Sequence, residues 1–332
     1  MRLISLFSGC GGLDLGFKQA GFEIPVANEY DSAIYETFRY NHPDTRLIEG
    51  DIRKVNEEVF SSVGEIDGII GGPPCQSWSC AGSQRGIDDK RGQLFYDYIR
   101  ILKAVQPKFF LAENVTGMLS KKHRDAVQNI LSMFEDAGYH VSLHTVNAKD
   151  YHTPQERKRV FYIGIRKDIP VSFVFPSPSE DILTLQDAIA DLEASAVPAL
   201  EHNRHNPDAV NQNEYYTGGF SPIFMSRNRV RAWNEPGFTV QAMARQCQLH
   251  PSAPAMVKMD TDKFSFVDGY TYRRLTLREC ARLQGFPDTF QFLYERLEDG
   301  YKMVGNAVPV SLAYAVASAI RQQLFSPAAE EK

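Results

Sequence analysis

Residues 3–22, LISLFSGCGGLDLGFKQAGF, decide the fold. LISLF reads as a short buried strand. SGCGG is a turn, and LDLGFKQAGF returns Leu13, Phe17 and Ala20 to one face at helical spacing. The alternation then continues. Residues 24–28 read as a second strand ending at Glu29, with a helix over about 31–41 behind it. Residues 47–48 form a third strand that ends at Gly50-Asp51, and IDGII, 66–70, a fourth. A helix over 93–105 leads to KFFLA, 108–112, which ends at Glu113-Asn114. Another helix, about 122–137, leads to the strands VSLHTVNA and RVFYIGI. Strands that alternate with helices in this way predict an open, mostly parallel α/β sheet, Rossmann-like in plan.

The texture changes after about residue 170. Residues 170–222 are rich in Pro, Ser, Asn and Asp, with one helical pattern near 184–193, and 223–272 read as short strands and loops. Helical pattern returns at 276–284 and at 309–324. These changes predict a large domain of residues 1–172 plus 300–332 and a smaller, irregular one of residues 173–299.

The chain has 332 residues, 43% of them hydrophobic, enough for a large core and a second, smaller unit. Its formal charge of −5 means that any surface for nucleic acid must be a local patch. Cysteines at 10, 75, 80, 247 and 280 are odd in number and form no CxxC, so neither a disulfide framework nor a zinc ribbon is expected. His202 and His205 lack further ligand-type neighbours, and no metal is expected. The apolar run before Gly9 is too short for a signal peptide, and no stretch of about 18 apolar residues is evident. A reducing, cytoplasmic setting and no membrane partner are the expectation.

The turn Gly9-Cys10-Gly11-Gly12 lets a ligand approach the backbone closely. A dinucleotide fingerprint would need a small residue at position 14, where this chain has Asp14. A pyrophosphate at that helix N-terminus would face a carboxylate, which disfavours a nicotinamide oxidoreductase. Glu29 lies 20 residues after Gly9 at a strand tip, where a carboxylate accepts hydrogen bonds from ribose hydroxyls. Asp51 and Ile52, at the next tip, are placed to hold an adenine. A nucleoside without pyrophosphate fits, and S-adenosylmethionine is one such ligand. A plain glycine turn with ordinary strand-end acids is the competing reading.

Residues 68–79, GIIGGPPCQSWS, stiffen the backbone before one thiol. Pro73 and Pro74 fix φ and remove two donors, so Cys75 has a rigid mount at the carboxyl edge of the sheet, where such sheets place their sites. The polar, glycine-bearing stretch QSWSCAGSQRGIDDKRGQ that follows reads as a loop able to close over a substrate. Glu113, at the next tip, can donate a proton if burial raises its pKa. In QERKRV, strand alternation places Arg157 and Arg159 on one face. Further on, residues 223–245 hold Arg227, Arg229, Arg231 and Arg245 against the single acid Glu235, a local charge of +3. Arginines at alternate positions of a strand would share a face and could read guanine edges.

The ordered set FSGCGGLDLGF, NEYD, GDI, GGPPCQSWS, AENV, QERKRV, RRLTLRECARLQGFP and GNAVPV resembles the DNA cytosine-5 methyltransferase family over residues 3 to about 315. The 223–290 region and the loop after Cys75 look closest to the HaeIII group, whose members modify GGCC. The resemblance implies an S-adenosylmethionine-dependent methyltransferase fold with a target-recognition domain. It also implies a DNA (cytosine-5-)-methyltransferase that leaves S-adenosylhomocysteine, needs no metal and flips its target base out of duplex DNA. Cys75 would add to cytosine C6, Glu113 would assist at N3, and Arg159 with Arg157 would hold O2. Phe7, Gly9, Gly11, Glu29, Asp51, Ile52, Pro74, Leu94, Asn306 and Val308 would line the cofactor pocket. Ser79, Arg91, Ile223, Arg227, Arg229, Arg231 and Arg245 would meet DNA. Ile223, stiffened by Pro222, is the expected wedge into the gap left by the flipped base, with packing in the core as the alternative for it and for Phe224. The implied setting is a type II restriction-modification system in a bacterium, with a cognate endonuclease and a monomeric enzyme. A tRNA cytosine-5 methyltransferase and a non-catalytic DNA-binding protein are the alternatives.

Overall fold

The computed structural model describes residues 1–74 and 94–326. Seven strands form one sheet: β1 (Arg2–Leu6), β2 (Glu23–Glu29), β3 (Arg46–Glu49), β4 (Gly68–Gly71), β5 (Phe109–Val115), β6 (Tyr139–Asn147) and β7 (Lys158–Arg166). Their order is β3-β2-β1-β4-β5-β7-β6. The first five run parallel, and β7 runs antiparallel to both β5 and β6. This is the expected mostly parallel α/β sheet. The central strands are apolar on both faces because helices cover both. Leu3, Ile70, Leu111 and Phe161 face α1 (Gly12–Gln19) and α9 (Val310–Phe325). Ile4, Ile69 and Phe110, one residue out of phase, face α4 (Leu94–Val105) and α5 (Arg124–Asp136). The strand order reverses between β1 and β4, which opens a crevice at the carboxyl edge.

Between β2 and β3 the expected helix begins as a 3₁₀ turn, Ser32–Ile34, capped by Asp31, before α2 (Tyr35–Asn41). A short α3 (Glu58–Ser61) precedes β4. After β7 come α6 (Leu185–Ile189), the two-residue strands β8 (Val197–Pro198) and β9 (Glu214–Tyr215), the hairpin β10 (Val257–Asp260) and β11 (Lys263–Ser265), then α7 (Leu277–Leu283) and α8 (Leu297–Asn306). Thr276 and Glu279 close a capping box at the start of α7.

Two sequence expectations fail here. No strand carries residues 227–231. That segment is irregular, with only an isolated bridge between Val230 and Leu249. α8 was not expected, because Gly300 and Gly305 dilute its helical pattern. Both glycines are packing requirements. A Cβ on Gly305 would stand 2.3 Å from the backbone of Gln241 and Ala242. Taken together, α8 and α9 are long and apolar enough to cross a membrane by length and composition alone. They are nevertheless core elements, 72% buried over their most apolar window.

The helix that follows the first turn is held to the last by one absent side chain. A Cβ on Gly16 would lie 2.5 Å from Ala313 Cβ and 2.7 Å from the Tyr314 amide nitrogen. Gly16→Ala is therefore an overpacking change. It should lower the unfolding free energy by about 1–3 kcal/mol in urea titrations, even though alanine favours helix.

Candidate active site

The crevice is built from strand tips. Phe7, directly after β1, has φ +55°, a left-handed conformation that is uncommon for a bulky residue and marks backbone committed to a site. Gly9 follows at φ +56°, with no atom within 4 Å of the position a Cβ would take, so the loop leaves open space above it. Gly11, at φ +91°, is closed instead, since a Cβ there would strike the His42 ring. Glu29 holds this loop to β2. Its Oε2 accepts from the Gly9 amide at 2.8 Å, and its Oε1 accepts from the amides of Tyr30 and Asp31. Burial still pushes the Glu29 carboxyl above its ordinary value. Asp51 caps the 3₁₀ turn Ile52–Lys54 and pairs with Arg53, which holds its carboxyl below the usual range. Phe7, Ile52 and Leu94 join one apolar cluster. Val308 packs against the other face, its carbonyl lying 2.7 Å from the position of a Gly12 Cβ, while Asn306 is exposed at the end of α8. Asp14 is fully buried, so it lies inside the fold and not at the loop mouth. Neither oxygen has a hydrogen-bond partner, and its carboxyl is raised to about 6 by burial. These residues fit a nucleoside ligand: an open glycine backbone, a carboxylate at the β2 tip and apolar walls.

Cys75, Ser79 and Arg91 lie outside the described residues. Their mount does not. Asn114 Nδ2, at the β5 tip, donates to the Pro73 carbonyl at 3.2 Å. Glu113 Oε2 lies 3.3 Å from the place a Gly72 Cβ would occupy, and Glu113 Oε1 meets Arg159 Nε at 2.8 Å. Burial raises the Glu113 carboxyl, against the pull of Arg159 and Arg157. A raised carboxyl, a guanidinium and the rigid Pro73-Pro74 segment thus converge at neighbouring strand tips. Asn114 had been placed at this tip by the sequence, but its tie to the prolines is visible only in the fold.

Arg157 departs from expectation. Its guanidinium donates to the carbonyls of Val240, Gly305 and Ala307 at 2.8–3.0 Å, and the residue is 2% exposed. Its fork is directed into the protein, which makes it a positioning residue. Gln155 works beside it, donating to the Leu283 carbonyl and to Gln284, which in turn donates to Val304 and Ala307.

The four arginines divide into two pairs. Arg229 is buried, donating to the carbonyls of Phe224 and Ile223 and to Gln246. Arg231 is bound by Glu156 and Glu235 and lies 4.2 Å over the Phe238 ring. Both were expected on a reading face; internal acceptors that sequence spacing does not reveal take them instead. Arg227 and Arg245 are exposed. Ile223 is 72% exposed, whereas its neighbour Phe224 is fully buried in a small core with Val230, Leu249 and Met256. His205, read as a free loop residue, faces Glu214 at 2.5 Å.

Residues 1–322 match the C-5 cytosine-specific DNA methylase family. The chain is 64% identical over 330 residues to the type II methyltransferase M.NgoPII of Neisseria gonorrhoeae, covering 98% of this chain and 96% of that protein. It is 59% identical to the type II methyltransferase M.FnuDI of Fusobacterium nucleatum, over 98% and 95% of the two chains. Among solved structures, a protein described as a DNA modification methyltransferase encoded in an Escherichia coli prophage superposes with a TM-score of 0.76. It is 25% identical, with 98% of this chain and 100% of that one covered. The fold, the convergence of strand tips and these similarities agree: the chain belongs to the C-5 cytosine-specific DNA methylase family and is a DNA (cytosine-5-)-methyltransferase.

Proposed function

We infer that the protein is the modification enzyme of a type II restriction-modification system and methylates C5 of a flipped-out cytosine at GGCC in duplex DNA. Residues 1–172 and 300–332 form the catalytic domain and 173–299 the recognition domain; the separate small core around Phe224 supports this for the segment near 220–272, while α6 and α7 share one core with Cys10, Ile34 and α8. The GGCC site rests on the likeness of the 223–290 region to the HaeIII group. A cognate endonuclease, a monomeric state and a bacterial cytoplasmic setting belong to the same proposal, and the type II names of the relatives support the first of them.

The observation that carries the chemistry is the Glu113–Arg159 pair beside Gly72, immediately before the prolines that mount Cys75. When bound in the cradle of Phe7, Gly9, Glu29, Asp51, Ile52, Leu94 and Val308, S-adenosylmethionine supplies the electrophilic methyl group that cytosine C5 accepts. The Cys75 thiolate adds to C6, which turns an electron-poor ring carbon into an enamine nucleophile. Glu113 donates to N3 and stabilises the charge that develops on the ring. Arg159 holds both Glu113 and the cytosine O2, and its positive charge favours the thiolate. The C5 proton then leaves and Cys75 is expelled. The exposed Arg227 and Arg245 read guanine edges, and exposed Ile223 fills the gap left by the flipped base.

DNA carrying 5-fluorocytosine at the target should trap the wild-type enzyme covalently, because fluorine cannot leave as a proton. Cys75→Ser should form no adduct and show no turnover. Turnover by that variant in a tritiated-methyl assay would sink the covalent route. Glu113→Gln should lower kcat about 10²–10⁴-fold while leaving cofactor affinity nearly unchanged. Because the Glu113 carboxyl is raised, its donating, protonated form persists above the ordinary carboxylate range and is lost as pH rises through the raised value. The wild-type kcat profile should fall along that limb, and the glutamine variant should lack it. Arg227→Ala and Arg245→Ala should each cost about 1–3 kcal/mol of discrimination at one base pair. Equal loss on specific and random DNA in filter binding would reassign either side chain to the phosphates.

A further inference from the structure

An acid sits on the face that the arginines are expected to present to DNA. Glu156, Arg227, Asn228, Thr239, Gln241 and Gln246 are among the residues lining a cavity of about 210 Å³. The Glu156 side chain is 41% exposed, yet its place is fixed. Its amide donates to the Gly237 carbonyl at 2.8 Å, and its carbonyl accepts from Thr239 Oγ1 at 2.6 Å. Its carboxylate is held by Arg231 at 2.5 Å and by Lys149 at 3.4 Å. Two cations use only part of a carboxylate, which offers about four acceptor positions. The bland account is a surface ion pair, but such a pair stabilises little, and an acid near the DNA backbone opposes binding. An exposed, oriented carboxylate beside an unpaired arginine has a specific use in the major groove. There the amino group of cytosine N4 donates beside the O6 and N7 acceptors of its paired guanine.

We propose that Glu156 accepts a hydrogen bond from the N4 amino group of the cytosine whose paired guanine is held by Arg227, so that one cavity reads both halves of a G·C pair. The proposal rests on the assignment of Arg227 to base reading. It makes Glu156 a specificity-determining residue, set between the recognition segment and the strand that carries Arg159. Thymine at the same place would present O4, an acceptor, to the carboxylate and be rejected. Glutamine at 156 could turn its amide nitrogen to O4 and accept it.

The test is methylation of a randomised, hairpin-linked duplex library, read by bisulfite sequencing of both strands so that the complementary base reports each original cytosine or thymine, with the wild type, Glu156→Gln, Glu156→Ala and Arg231→Met. The wild-type profile alone decides whether the site is GGCC, independently of Glu156. Glu156→Gln should raise acceptance of thymine over cytosine about tenfold or more at one symmetry-related pair of positions, with the other positions unchanged. Glu156→Ala should lose selectivity there without gaining thymine. Arg231→Met, which removes the cation and keeps the carboxylate, should lower methylation of all sites alike. A uniform loss with Glu156→Gln, or the same position-selective change with Arg231→Met, would overturn the proposal.

Discussion

The guanidinium of Arg157 donates to carbonyls of Val240, Gly305 and Ala307 while its own amide is held by Asn147, so one buried cation joins β6, β7, the recognition segment and the α8–α9 junction. Hydrogen bonds from a charged group contribute about 1.5–3 kcal/mol each, and a buried cation stripped of them is far more costly than the bonds are worth. The surrounding backbone is therefore constrained to keep its carbonyls aimed at this point. Gly305 must remain glycine so that Gln241 can approach, and Gln284 must bridge to Val304 and Ala307 from the other side. Removing the arginine would loosen the cofactor side and the recognition side together.

The same cation shapes the reacting edge. Arg157 and Arg159 stand near one carboxyl, Glu113, and burial still wins over both, since the Glu113 carboxyl is raised. Burial also strongly disfavours the charge on Arg157, with Arg159 adding to the effect. The edge thus sets two guanidinium groups near one carboxyl whose ionised form burial disfavours. A thiolate beside Pro74, or negative charge developing on a ring oxygen, is what such a field stabilises.

How much of this was legible in the sequence depended on how local the cause was. The strands of the sheet, the glycine turn and the acids at successive tips follow from short runs of residues and came out of periodicity and turn chemistry. Helix α8 did not, because its glycines are required by Leu277, Tyr294, Gln241 and Ala242, all distant from it in sequence or belonging to other segments. Arg229 and Arg231 alternate in sequence as readers on a strand would. Apart from Glu235, four residues from Arg231, their acceptors are the carbonyls of residues 223 and 224, Gln246, and a glutamate 75 residues away, and no spacing rule announces these. Arg157 was misjudged for the same reason: strand alternation gives the side of a residue but not what stands opposite it.

The two internal arginines are not wasted charge. Arg229 ties the turn that exposes Ile223 to Gln246, the neighbour of Arg245. Arg231 ties Glu156 and Glu235 across the step from the recognition segment to β7. The backbone adds further bonds: the Glu156 amide donates to the Gly237 carbonyl, and the Gly237 amide donates to the Pro154 carbonyl. A reading surface made of loops would otherwise spend binding energy on ordering itself, about 0.5–1.5 kcal/mol for each side chain immobilised. With two of its four arginines already satisfied inside, the proposed reading surface is largely formed in advance. Residues 154–157 bond to the segment 231–240 and lead directly into β7, so one short run of chain touches both.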